Sequence, residues 1–224
     1  MRESIMLPLK KSYIANQNKF QLLTYSQPES IIADQFRAIR TNLKFLTHQN
    51  KQNIILFTSS GRGEGKSTLI GNLAVSIAQQ DEKVLLIDAN LRDSTQHLLF
   101  NVPKEKGLTD VLSGSSTLFE AIKHSNTKHL DILTSGSEAS NPTELLGNEN
   151  MISLLQLVAT DYDVVMIDSA TVLDSTDTSI IANQCTGVIL VVNKGKTKIE
   201  SVIEAKRVLS LAHAKLLGVI FNKN

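Results

Sequence analysis

The segment that most constrains this chain is a glycine-rich run at residues 60–67, Ser-Gly-Arg-Gly-Glu-Gly-Lys-Ser, which we call the phosphate loop. It follows an apolar run at residues 54–58 and leads into a helical pattern at residues 66–80. In this context glycines let backbone N–H groups turn inward and approach phosphate oxygens closely. The start of the helix adds positive partial charge, which favours an anion at the same place. The alternative is a glycine-rich surface turn. The expected nucleotide contacts are Gly61, Arg62, Gly63, Glu64, Gly65, Lys66, Ser67 and Thr68.

Three side chains of this segment have distinct expected roles. Lys66 would bridge the β- and γ-phosphates of a triphosphate, and Ser67 would ligate Mg²⁺. Thr68 can hydrogen-bond an α-phosphate oxygen. The sequence therefore predicts ATP and Mg²⁺ as cofactors.

Two further apolar runs, residues 84–88 and 164–168, each end in an aspartate, Asp88 and Asp168. If both runs are strands, their carboxylates lie at the carboxyl edge of the sheet, where ligands of open α/β folds bind. Each carboxylate can hold Mg²⁺ directly or through water. Alternatively, either aspartate caps the turn that follows it.

Arg92 and Asn222 each admit two interpretations. Arg92 lies four residues after Asp88 and can neutralise charge on a transferred phosphoryl group, or form an exposed salt bridge. Asn222 follows the last apolar run and can pair its amide with a purine edge, or occupy a strand-end turn.

Apolar runs alternate with helical stretches from residue 53 onward, which predicts an α/β fold: a mostly parallel sheet of the P-loop NTPase type with helices on both faces. Strands are predicted at residues 54–58, 84–88, 130–134, 164–168, 188–192 and 216–221. Helices are predicted at residues 66–80, 118–124, 151–160, 176–184 and 198–212.

The first 25 residues show no sustained period and predict a mobile or loosely docked arm, followed by one domain over residues 26–224. A helix of about 18 residues is predicted to begin with Ser26 as its N-terminal cap, and Glu29, three residues later, completes a capping box. One flank of this helix carries charges at every third position, which is typical of a solvated charged face. These residues are Asp34, Arg37 and Arg40.

Charge and cysteine content exclude several classes of function. Lys and Arg number 23 and Asp and Glu 22, so no global field draws the chain onto nucleic acid or anionic lipid. Cys185 is the single cysteine, which excludes an intrachain disulfide and suits a reducing compartment. The apolar runs are too short to span a bilayer. We therefore expect a cytoplasmic protein that does not bind nucleic acid.

Several of these segments resemble the cytoplasmic kinase module of bacterial tyrosine kinases, the P-loop kinases of capsular and exopolysaccharide biosynthesis. The likeness covers roughly residues 28–222, including the second aspartate-bearing run. Residues 34–40 resemble the Glu-x-x-Arg-x-x-Arg helix through which the family's subunits meet in a ring. Residues 218–223 resemble the segment that contacts adenine in the family. The matching segments are residues 63–68 (Gly-Glu-Gly-Lys-Ser-Thr), 86–92 (Leu-Ile-Asp-Ala-Asn-Leu-Arg), 107–112 (Gly-Leu-Thr-Asp-Val-Leu) and 141–146 (Asn-Pro-Thr-Glu-Leu-Leu). The last two are far more telling than a phosphate loop alone.

The resemblance implies ATP-dependent phosphorylation of protein tyrosine. In this family the aspartate after the second strand activates the tyrosine hydroxyl and the acidic strand ends organise Mg²⁺, so these roles fall to Asp88 and Asp168. It also implies a homo-oligomeric ring and a transmembrane adaptor that holds the kinase at the inner face of the membrane. Asp34, Arg37 and Arg40 would then lie at the subunit interface.

Departures from the family pattern leave two alternatives open. Asn90 stands where relatives often have a second aspartate, and a neutral amide cannot act as a base. An ATP-binding regulatory partner without kinase activity is therefore one alternative. A partitioning-type P-loop ATPase is the other, although such proteins carry an early lysine where this chain has Gly61.

Overall fold

A seven-stranded sheet forms the centre of the computed structural model, which describes residues 21–47 and 53–223. The strands are β1 (Ile54–Ser59), β2 (Val84–Asp88), β3 (Ile122–His124), β4 (Leu130–Leu133), β5 (Val164–Asp168), β6 (Gly187–Asn193) and β7 (Leu216–Asn222). The helices are α1 (Leu23–Ser26), α2 (Ile31–Thr47), α3 (Lys66–Ala78), α4 (Gln96–Phe100), α5 (Leu108–Leu112), α6 (Leu118–Ala121), α7 (Pro142–Leu146), α8 (Glu149–Asp161), α9 (Asp177–Ala182) and α10 (Ile199–Leu211).

The strands lie in the order β3-β4-β2-β5-β1-β6-β7. Only β3 runs antiparallel to its neighbour, so the predicted mostly parallel α/β sheet is confirmed. Strands β1, β2, β5 and β6 are buried along their whole length. This burial explains why their sequences are continuously apolar and do not alternate.

Helices cover the two faces of the sheet and bury one apolar cluster on each. Leu73 of α3 and Leu43 of α2 lie in one cluster, whereas Leu154 of α8 and Leu209 of α10 lie in the other. None of the helices in the described ranges combines the length and the apolar character needed to cross a lipid bilayer.

The strand order positions the site. Because β5 lies between β2 and β1, Asp88 and Asp168 are register partners at the carboxyl edge of the sheet. The phosphate loop leaves β1 at the same edge. The crossover connections thus bring together three segments that are far apart in the sequence.

The predicted helix at residues 118–124 is wrong in its second half. A capping box between Thr117 and Glu120 starts α6, but that helix ends at Ala121. Residues 122–124 instead form β3 and pair with β4. This pairing depends on a strand that follows in the chain, so no local pattern shows it.

The predicted start of the long helix is also wrong. Helix α2 begins at Ile31, and its first turn is capped by Ser30, whose Oγ accepts a hydrogen bond from the Ala33 N–H at 3.2 Å. Most of the predicted arm, residues 1–20, lies outside the described residues. Its last part forms the start of α1, where Thr24 is buried and donates from its N–H to Asn72 Oδ1 at 2.9 Å.

Candidate active site

The carboxylate of Glu64 accepts hydrogen bonds from other residues of the phosphate loop. Gly63 and Gly65 have φ angles of 72° and 80°, which residues with a Cβ atom rarely adopt. Glu64 is buried, and its Oε1 accepts hydrogen bonds from Ser60 Oγ at 2.7 Å and from the Gly61 N–H at 3.0 Å. The Glu64 carboxylate therefore faces the loop itself, and a contact of this residue with a nucleotide would come from its backbone.

Two other predicted contact residues are Asn222, which lies beside the loop, and Arg62, which belongs to it. Asn222, at the end of β7, donates from Nδ2 to the Glu64 carbonyl oxygen at 2.9 Å. Its amide therefore helps to hold the phosphate loop in place. Arg62 is exposed, and its Nε lies 3.4 Å from Asp174 Oδ2.

Lys196 is a cation that sequence reasoning missed. It lies in the turn after β6, and its Nζ is 3.5 Å from the position that a Cβ on Gly63 would occupy. The turn contains no recognisable motif, so only the fold shows that this ammonium group stands over the phosphate loop.

Lys66 lies buried between the loop and the two acidic strand ends. Its Nζ donates a hydrogen bond to Asp168 Oδ1 and lies 3.4 Å from Ser67 Oγ. The facing carboxylates of Asp88 and Asp168 are both 0% exposed. The structure thus brings together four of the five residues that the sequence proposed for catalysis and metal binding, and the fifth, Arg92, lies in a separate network.

Asp88 accepts three backbone hydrogen bonds. Its Oδ2 accepts from the N–H groups of Thr95 and Gln96, both at 3.0 Å, and its Oδ1 accepts from that of Asn90 at 3.2 Å. Burial and the neighbouring Asp168 carboxylate raise the pKa of Asp88 to about 7 in spite of these donors. A cation at the site would act in the opposite direction, because it favours the ionised carboxylate.

The oxygen donors at this edge fit a magnesium ion. Ser67 offers a hydroxyl, and Asp88 and Asp168 offer carboxylates, the ligand types that Mg²⁺ prefers. Two buried carboxylates facing one ammonium group also leave negative charge that a cation would offset. The described residues contain no cluster of three or more His, Cys, Asp or Glu suited to a metal. Mg²⁺ here would therefore complete its shell with water and phosphate oxygens, as is usual for this ion.

Gln96 is a second residue that sequence reasoning missed. It begins α4, and its Nε2 donates to the Ser67 carbonyl oxygen at 3.1 Å and to Asp168 Oδ2 at 2.7 Å. A single glutamine eight positions after Asp88 carries no motif that would have identified it.

Arg92 takes part in a small polar network. Its Nε donates to Asp177 Oδ2 at 3.0 Å and its Nη2 donates to Thr143 Oγ1 at 3.1 Å, while Thr143 Oγ1 donates to Asp177 Oδ1 at 2.6 Å. Burial alone would raise the pKa of Asp177, but these donors outweigh it and hold the pKa below its ordinary value. Arg92 therefore forms the salt bridge that the sequence left open, with a buried carboxylate. Thr143 belongs to the Asn-Pro-Thr-Glu-Leu-Leu segment, which gives that segment a structural connection to Arg92.

The charged flank of α2 forms its contacts within the chain. Arg37 donates to Asp34 Oδ1 at 2.6 Å and to the Pro28 carbonyl oxygen at 2.9 Å. Arg40 donates to the Ser76 carbonyl oxygen at the back of α3. Arg40 thus links α2 to the helix that follows the phosphate loop.

A family model described as an AAA domain matches residues 52–216. Tyrosine-protein kinase YwqD of Bacillus subtilis is 42% identical over 201 residues, which cover 90% of this chain and 85% of that protein. Among solved structures, the kinase domain of Escherichia coli tyrosine kinase ETK matches with a TM-score of 0.88 and 32% identity, over 90% of this chain and 79% of that one.

The septum site-determining protein MinD of Pyrococcus horikoshii, complexed with Mg-ADP, matches with a TM-score of 0.66 and 26% identity. That match covers 76% of this chain and 70% of the MinD chain. The P-loop fold is thus shared with a magnesium-nucleotide-binding protein, but the likeness to the kinases is closer in both identity and coverage. On these matches and on the site geometry, the chain belongs to the bacterial tyrosine-protein kinase family, within the AAA-domain group of P-loop proteins.

Proposed function

We propose that this protein is an ATP-dependent protein-tyrosine kinase that regulates capsular or exopolysaccharide biosynthesis. The observation that carries the proposal is the meeting of Lys66, Asp88 and Asp168 beside the phosphate loop. The likeness to proteins named as tyrosine kinases supports the choice of tyrosine as the acceptor.

The phosphate loop would bind the triphosphate through its backbone N–H groups and Lys66. Thr68 then contacts the α-phosphate and Asn222 the adenine. Ser67 and the two aspartates would hold Mg²⁺, which when bound neutralises and orients the β- and γ-phosphates.

Asp88 is the proposed base for the acceptor tyrosine. An unperturbed tyrosine hydroxyl has a pKa of about 10 and is a poor nucleophile at neutral pH. As its oxygen bonds to the γ-phosphorus, the hydroxyl proton passes to the Asp88 carboxylate, and the bond from phosphorus to the bridging oxygen breaks to leave ADP. Lys66 stabilises the charge on the transferred group, and Arg92 is proposed to assist it although its guanidinium is paired with Asp177. Asn90 is not an alternative base, because a neutral amide does not take up a proton at neutral pH. Its amide instead donates to the Asp93 carbonyl oxygen at 2.8 Å within its own turn.

The partners proposed for the kinase come from the family resemblance. They are a transmembrane adaptor, protein tyrosine substrates and further copies of this chain in a ring. Helix α2 supplies the charged surface for the ring. Arg37 and Asp34 lie on its outer flank, whereas Arg40 is held against Ser76.

The test is phosphate transfer from radiolabelled ATP, with Mg²⁺, to a tyrosine-containing polypeptide in the presence of the adaptor's cytosolic tail. The comparison variants are Lys66→Met and, as a matched control, Lys128→Met. Lys128 is an exposed lysine just before β4, at the opposite edge of the sheet. We expect Lys66→Met to lose about 100-fold or more in rate, the usual effect of removing one preorganised transition-state group. Lys128→Met should retain the wild-type rate.

The other outcomes distinguish the competing functions. Phosphate release without phosphotyrosine, stimulated by DNA or lipid, would indicate a partitioning-type ATPase. Nucleotide binding without either reaction would indicate a regulatory partner. Wild-type phosphotyrosine no higher than that of Lys66→Met would refute the kinase proposal.

A further inference from the structure

Gln96 contacts three elements of the site at once. It is 0% exposed, and its backbone N–H donates to Asp88 Oδ2. Its side-chain Nε2 donates to the Ser67 carbonyl oxygen and to Asp168 Oδ2. One residue of α4 thus connects β2, α3 and β5 where the acidic strand ends meet.

The contacts of Gln96 fix the orientation of its amide. A carbonyl oxygen and a carboxylate both accept hydrogen bonds, so only the NH₂ group can face them. The amide oxygen, Oε1, therefore lies on the other side. It is buried and has no hydrogen-bond partner among the residues that the structure describes. Buried polar atoms are almost always paired, so this acceptor leaves one hydrogen-bond position that a water molecule can fill.

We propose that Gln96 is a positioning residue of the magnesium site, in which Nε2 fixes the Asp168 carboxylate and the Ser67 backbone. This inference rests on the proposed function. Groups that orient metal ligands from behind typically contribute 10- to 100-fold to metal affinity or activity.

Two substitutions separate hydrogen bonding from packing. Gln96→Met keeps the length and fills the buried space but removes both hydrogen-bonding atoms. Gln96→Asn keeps the amide but is one methylene too short to reach the same partners. Gln184→Met is the matched control, because Gln184 Oε1 is also buried without a partner in the described part of the chain. Gln184 precedes β6, at the edge of the sheet opposite to the site.

The experiment is titration calorimetry of ADP, with excess Mg²⁺ and with EDTA, on the wild type and these variants. The quantity of interest is the association constant of ADP in excess Mg²⁺ divided by that in EDTA. We expect Gln96→Met to lower this ratio by about 10-fold or more while the affinity in EDTA stays unchanged. Gln184→Met should retain the wild-type ratio. Circular dichroism monitors folding, and if Gln96→Met does not fold, the ratio for Gln96→Asn decides in its place.

A merely structural role for Gln96 would lower the unfolding temperature and leave the magnesium ratio unchanged. That result, with normal ADP binding by the wild type, overturns this inference alone. A wild type that binds no ADP under either condition overturns the proposed function and this inference together.

Discussion

The ion pair between Arg92 and Asp177 can be tested by a double-mutant cycle. Arg92→Met and Asp177→Asn each remove one charge while keeping most of the side-chain volume. The Asp177 carboxylate is 1% exposed, whereas the Arg92 side chain is 48% exposed. A charge-assisted hydrogen bond contributes about 1.5–3 kcal/mol net when it is shielded from water. Because the guanidinium is half in solvent, screening reduces the expected coupling energy to about 1–1.5 kcal/mol.

The chain contains a matched control pair. Arg207 and Glu204 on α10 have the same N–O distance of 3.0 Å, but the Glu204 side chain is 46% exposed. The same cycle on this surface pair should give no measurable coupling, because water and salt screen both charges. The two pairs differ in the burial of the carboxylate, and also in that Arg207 and Glu204 lie three residues apart on one helix whereas Arg92 and Asp177 join distant segments.

The coupling should also depend on pH, with a definite sign. The folded pKa of Asp177 lies below its ordinary value. The ionised carboxylate therefore contributes stability that is complete well above the unfolded pKa of about 3.9. This contribution is lost as the pH falls from there through the lower folded pKa, because protonation then removes the charge in both states. The coupling should thus be full at pH 7 and decline only in the acid range.

Denaturant unfolding followed by circular dichroism measures these energies at neutral and acidic pH. Equal coupling in the two pairs would refute the argument from burial. Equal coupling at pH 7 and at a pH below the folded pKa would refute the assignment of charge to Asp177. Failure of the buried pair to couple at any pH would mean that the Arg92 network is not maintained in solution.

Two further predictions concern cations at the surface. Lys196→Met should raise the dissociation constant of ATP about 3- to 10-fold in calorimetry, because an exposed ammonium over the phosphate loop contributes about 1 kcal/mol. Lys215→Met, before β7, should leave it unchanged, and equal effects of the two would contradict a role for Lys196. For the ring, combined Arg37→Ala and Arg40→Ala should lower the mass measured by light scattering. An unchanged mass of the folded variant would count against α2 as the interface.

The parts of the fold that sequence predicted well are those fixed by local chemistry. The central strands read as continuous apolar runs because helices bury both of their faces. The phosphate loop was identifiable because glycine, lysine and a helix start must occur there in a fixed order. Asp88 and Asp168 were expected at one edge of the sheet, and the structure places them as register partners.

The parts that sequence could not predict depend on distant segments. Arg92 meets Asp177 across 85 positions of the chain, and Gln96 meets Asp168 across 72. Neither contact leaves a periodic signal in the sequence. Strand β3 has three residues and exists only because β4 offers an edge to pair with. The short helices α4, α5 and α7 were missed because five residues are too few to show a helical period.

The buried charges at the strand ends do not balance within the protein. Lys66 supplies one positive charge, but Asp88 and Asp168 supply two carboxylates that are both 0% exposed. Such an arrangement opposes folding unless one carboxylate binds a proton or a cation joins the pair. The raised pKa of Asp88 reflects the binding of a proton. Magnesium would provide the cation. The geometry that disfavours two ionised carboxylates without a cation is therefore the same geometry that favours a cation beside the phosphate loop.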